Sequence, residues 1–75
     1  MKSTDKLLIA FGNIGVETLG DLSKAIGRHR LTAYRWDSEE AGGGGGEVSR
    51  RGRLELQALA RESKITLPKD IWFND

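Results

Sequence analysis

From Lys24 to Arg35 the chain carries Lys24, Arg28, Arg30 and Arg35 and no acidic residue. A guanidinium presents a planar fork of donors that fits two acceptors at once, such as O6 and N7 of guanine or two phosphate oxygens. A second basic cluster follows at Arg50, Arg51 and Arg53, and the acids Asp37, Glu39 and Glu40 fall between the two. Over all 75 residues the net charge is only +1, so an anion-binding face rests on this clustering rather than on a basic whole. Charge alone leaves two readings open: a phosphate-binding face, or two ordinary solvated helix faces. Other chemistries lack their residues. Without cysteine there is no disulfide framework and no thiolate metal site, and His29 is the only histidine. No nucleophile–base pair, metal cluster or pair of buried carboxylates is legible, so the expectation is no enzyme, no cofactor, no metal and no small-molecule substrate.

The elements that must carry these side chains are all helical, and no strand pattern of useful length occurs. Ser3 or Thr4 is placed to cap a first helix, with Asp5 near its positive end, Leu7, Leu8 and Phe11 on one face, and Gly12 as its stop. Gly12-Asn13-Ile14-Gly15 is turn chemistry. A second helix is predicted from Val16 to Ile26, with Leu19, Leu22 and Ile26 inward and Gly27 ending it. A third is predicted from His29 to Trp36 or Asp37, with Ala33 and Trp36 inward. The five glycines Gly42–Gly46 read as a mobile connection, because their backbone entropy is high. Ser49 caps a fourth helix with Leu56, Leu59, Ala60 and Ser63 on its apolar face, widened by Leu54 and Ala58. Ile65 and Leu67 lead to Pro68, which suits the start of a last short helix ending at Ile71, Trp72 and Phe73. The expected fold is one domain over residues 1–75, an all-α compact bundle of four to five short helices.

Between Leu19 and Trp36 the spacing is specific. Two helices joined by a short turn cross closely and need a small residue at the crossing, which Ser23 supplies. Gly27, four positions later, tolerates the left-handed turn, and Ala33 and Trp36 give the second helix its inward face. The segment resembles the helix-turn-helix of the phage Cro and repressor type, the lambda-repressor-like fold. The residues that carry the likeness are Phe11-Gly12, Leu22-Ser23-Lys24-Ala25-Ile26-Gly27 and Thr32-Ala33-Tyr34-Arg35-Trp36. The C-terminal half is similar to the same group through Gly42–Gly46, Arg50-Arg51 and Thr66-Leu67-Pro68-Lys69-Asp70-Ile71. Arg28 departs from it, standing where that turn usually carries a buried valine, which implies a solvent- or phosphate-facing side chain.

In such motifs the start of the second helix enters the major groove. That assigns base reading to Arg30, Leu31, Tyr34 and Arg35: the arginines toward guanine, Leu31 toward a thymine methyl. Tyr34 is either a base or phosphate contact or a buried ring with a wet hydroxyl. Phosphate contacts are expected from Arg28, His29 and Thr32; Arg50, Arg51 and Arg53 are either a solvated face or a phosphate site at the helix start. Trp72 and Phe73 close the small core or cover a second subunit. The resemblance implies a sequence-specific transcriptional regulator, a repressor binding operator DNA as a homodimer. The alternative is a protein-interaction module, an antitoxin or phage factor that reuses the fold. The first apolar stretch, Leu7–Phe11, is too short for a signal-peptide core, and no apolar run approaches the roughly 20 residues of a membrane span. The expected compartment is the cytoplasm, in association with the nucleoid.

Overall fold

A computed structural model describes residues 1–75. It contains four α-helices and no strand: α1 (Ser3–Ala10), α2 (Leu19–Ala25), α3 (Thr32–Asp37) and α4 (Arg50–Glu62). Short 3₁₀ turns lie at Gly12–Ile14 and Lys69–Trp72. No helix is long and apolar enough to cross a membrane.

The core is one cluster to which every helix contributes. Leu7, Phe11, Leu22, Ala33, Trp36, Leu56, Ala60, Ile71 and Trp72 are buried together, joined by Val16 and Val48 from the connections. Burying each large member contributes about 1.5–3 kcal/mol, which matters in a chain too short for a second core. Leu54, expected to widen the apolar face of α4, is exposed, while Gly52 on the same helix is buried. Gly52 lies beneath the Trp36 ring: a Cβ there would stand 2.5 Å from Trp36 Cζ2 and 2.7 Å from Val48 Cγ1. The missing side chain therefore lets α4 approach the indole at the end of α3.

Helix boundaries differ from expectation for local reasons. Ser3 and Thr4 do not cap α1 but lie inside its first turn, fully buried. The Ser3 hydroxyl donates to the Ile71 carbonyl at 2.5 Å, fastening the last turn of the chain to the first helix. Helix α2 starts at Leu19 rather than Val16, because Thr18 and Asp21 form a reciprocal cap: Thr18 Oγ1 accepts from the Asp21 N–H at 3.1 Å, and Asp21 Oδ2 accepts from the Thr18 N–H at 3.2 Å. Val16 packs into the core ahead of that cap. Helix α3 starts at Thr32 rather than His29; residues 29–31 form a turn in which His29 Nδ1 accepts from the Leu31 N–H and the His29 carbonyl from the Thr32 N–H.

The glycine run is where the difference is largest. Instead of a free spacer, it follows a hydrogen-bonded path across the end of α3. The N–H of Gly44 donates to the Arg35 carbonyl at 3.0 Å, that of Gly45 to Ser38 at 2.8 Å, and that of Gly46 to Trp36 at 2.7 Å. A Cβ at Gly44 would collide with the carbonyls of Glu47 and Trp36, so the run is glycine-rich because backbone must touch backbone.

Candidate nucleic-acid interface

The crossing of α2 and α3 is built on Ser23. Its side chain is fully buried; its hydroxyl donates to the Leu19 carbonyl at 2.9 Å and accepts from the Ala33 N–H at 2.8 Å. Ala33 lies in the first turn of α3, where backbone donors have no partner within the helix. Ser23 is thus more than a small residue: it satisfies a buried amide of the next helix. Its carbonyl accepts from the Arg28 N–H at 3.0 Å while Gly27, at φ +72°, donates to Lys24 at 2.9 Å. These two bonds close α2 with a Schellman turn.

The far end of α3 is equally complete. Its last four carbonyls would be orphans in isolation. Tyr34 receives the Ser38 N–H, Arg35 that of Gly44, Trp36 that of Gly46, and Asp37 the Lys2 ammonium at 3.5 Å. A six-residue helix has little stability of its own, so these mounts at both ends fix its direction.

With Ala33 and Trp36 inward, the remaining faces of this segment point out. Arg30 and Arg35 are exposed, and neither makes an ion pair. Leu31 and Tyr34 are each 46% exposed, so Tyr34 is not a core ring; its edge rests over Gly20 of α2. Arg30, Leu31 and Tyr34 line one groove of about 460 Å³ with Thr18, Asp21 and Lys24. The Asp21 carboxylate in that groove is occupied by the N–H groups of Glu17 and Thr18, which hold its pKa below the ordinary range.

The expected phosphate residues divide. Arg28 turns toward α4, where its Nε lies 3.0 Å and its Nη2 2.6 Å from the Glu55 carboxylate. Hydrogen bonding raises the Arg28 pKa and lowers that of Glu55, and a guanidinium so engaged is withdrawn from the phosphate set. His29 is exposed, with one ring nitrogen spent on the Leu31 amide; Thr32 is half-buried. Arg50 and Arg51 are exposed at the start of α4, which Ser49 caps as expected by accepting from the Gly52 N–H. Arg53 donates through Nε to the Val48 carbonyl and stacks on the Phe73 ring at 5.8 Å. Trp72 closes the core, whereas Phe73 stays exposed beneath that guanidinium.

The fold also brings the two basic clusters toward each other. Arg35, Ser49 and Arg53 line one open recess of about 340 Å³ with Gly42–Gly44 and Glu47. Of the acids that separate the clusters in sequence, Asp37 and Glu39 pair with Lys2 at 3.6 and 3.5 Å and so are partly neutralised. No group of three or more histidine, aspartate or glutamate side chains gathers as metal ligands would.

Sequence reasoning overlooked the Thr18-x-x-Asp21 box, whose spacing was a usable signal. The Arg28–Glu55 pair and the Thr4–Asp37 hydrogen bond join residues far apart in sequence and left no local signal. Comparison with protein-family models, with curated proteins and with solved structures gives no match to this chain.

Proposed function

We propose that the chain is a sequence-specific DNA-binding protein in which α2, the turn after it and α3 act as a helix-turn-helix. The observation that carries this reading is the division of α3 and its preceding turn. Ala33 and Trp36 are buried, while Arg30, Leu31, Tyr34 and Arg35 face solvent with no acidic partner for either arginine. That face has the donors to read guanine and the apolar surface to meet a thymine methyl. Lys24, His29, Thr32, Arg50 and Arg51, with the terminal nitrogens of Arg53, supply phosphate contacts that set register. The resemblance to Cro-type regulators makes repression at an operator the natural role, with two copies reading two half-sites.

Salt dependence tests the reading. Affinity for duplex DNA falls linearly in log–log form by about 0.9 per phosphate neutralised, so three or more contacts give a slope of about −3 or steeper. An affinity for DNA that is absent, or unmoved by salt, contradicts the proposal and favours the protein-binding alternative.

A further inference from the structure

We propose that Thr4 is a positioning residue for base reading, acting from α1 through Asp37 on the outer end of α3. The inference rests on the DNA reading above and names a residue outside its contact surface. Thr4 is fully buried. Its hydroxyl donates to Asp37 Oδ1 at 2.7 Å, and its N–H donates to the Gly46 carbonyl at 3.0 Å. Asp37 is the last residue of α3, two positions beyond Arg35 and three beyond Tyr34. Lys2 reinforces the same point, with its ammonium 3.6 Å from Asp37 Oδ1. A Cβ on Gly46 would stand 2.9 Å from three carbons of the Lys2 stem, so the stem lies directly on the loop that caps α3.

The inner end of α3 is fixed by Ser23 and the outer end by this junction of α1, the glycine run and Asp37. Base reading by a guanidinium fork tolerates a displacement of only about 0.5 Å. The Thr4 hydroxyl touches no solvent and no candidate DNA contact, so its influence on binding passes through the direction of α3. Arg50, Arg51 and Lys24 sit on other elements, and their phosphate contacts do not depend on that direction. Loss of the hydroxyl should therefore separate specific from non-specific binding, which a general loss of stability does not do.

The test uses the full chain and two duplexes: one selected by the wild-type protein from random sequence, one scrambled. Thr4→Val removes the hydroxyl at nearly constant shape, Thr4→Ser keeps it, and Asp37→Ala removes the acceptor from a half-exposed site. Each is checked by circular dichroism for folding at the assay temperature. For Thr4→Val and Asp37→Ala the expected result is about a tenfold loss on the selected duplex, the scale of one weakened base contact. On the scrambled duplex the salt slope and affinity stay unchanged for Thr4→Val and do not fall for Asp37→Ala, which removes a negative charge and releases Lys2, while Thr4→Ser behaves as wild type. Equal losses on both duplexes, or full retention of preference by folded Thr4→Val, overturn the proposal. If Thr4→Val does not fold, the folded Asp37→Ala chain decides on the same criteria. A wild-type chain that selects no sequence overturns the DNA reading itself, and this role with it.

Discussion

Replacing Ser23 with alanine tests the crossing on which the α3 face depends. The substitution leaves the packing volume almost unchanged, because only an oxygen is lost from a fully buried site. It strands the Ala33 N–H, which has Ser23 Oγ as its acceptor at 2.8 Å and no solvent to replace it. A buried amide left without a partner costs about 1–3 kcal/mol. The higher helix propensity of alanine offsets about 0.5 kcal/mol of that. The net loss should be about 1–2 kcal/mol, seen in urea unfolding as a lower midpoint at constant slope. In a domain of this size each kcal/mol lowers the melting temperature by about 4–8 °C. Hydrogen exchange at the Ala33 amide should accelerate beyond the global change, because its closed form has lost its acceptor. Ser23→Thr keeps the hydroxyl but forces a methyl into the crossing, and overpacking there costs about 1–3 kcal/mol by a different route. A Ser23→Ala chain as stable as wild type, with Ala33 exchange unmoved, refutes the view that this hydroxyl joins the two helices.

Gly44→Ala should destabilise by about 1–3 kcal/mol, since its Cβ meets the Trp36 carbonyl at 2.6 Å, while Gly12→Ala, with open space around it, stays near neutral in the same denaturation series. Stability should also fall in acid through Glu55. Its folded pKa is depressed by the hydrogen bonds from Arg28, so its contribution is full above the ordinary glutamate range and is lost as pH drops through the folded value. Glu55→Gln should flatten that decline in pH-dependent melting without abolishing it, because Asp21 and Asp75 are shifted in the same direction. Lys64 closes α4 in the left-handed region at φ +57°, with the Ile65 N–H on the Ala60 carbonyl at 2.8 Å. Lys64→Gly should stabilise by about 0.5–1 kcal/mol in chemical denaturation, as relief of left-handed strain of about 1–2 kcal/mol outweighs the added chain entropy.

The legible part of the fold was the part governed by period and local chemistry. Leu7 and Phe11, Leu22, Ala33 and Trp36, and Leu56 and Ala60 recur at helical spacing and are all buried. Ser49 is a helix cap because its hydroxyl reaches an N–H three residues on, which a sequence displays directly. Gly27 is where the chain turns, because a left-handed residue follows the C-cap of α2. What escaped was set by tertiary partners. Arg28 reads as a free cation until Glu55, 27 residues away, comes beside it. Five glycines read as disorder by entropy alone, yet the carbonyls of Arg35 and Trp36 and the N–H of Thr4 pin their backbone. Thr4 reads as a cap from its position, but Asp37 recruits its hydroxyl into the interior. Leu54 is apolar but, two positions from both Gly52 and Leu56, it stands roughly 160° around α4 from those buried residues and so faces out.

The central claim is that the outward face of α3 and its preceding turn reads base sequence. Selection from random duplex DNA by wild type, Arg30→Ala, Arg35→Ala and the double variant Arg50→Ala/Arg51→Ala tests it in a single format. The wild-type chain should enrich a defined site with two-fold symmetry. Arg30→Ala and Arg35→Ala should each relax preference at particular positions, at a cost of about 1–3 kcal/mol on the wild-type site. The double variant should bind every sequence more weakly while selecting the same site. Unchanged selection after loss of either Arg30 or Arg35, or no enrichment by the wild-type chain, contradicts the account.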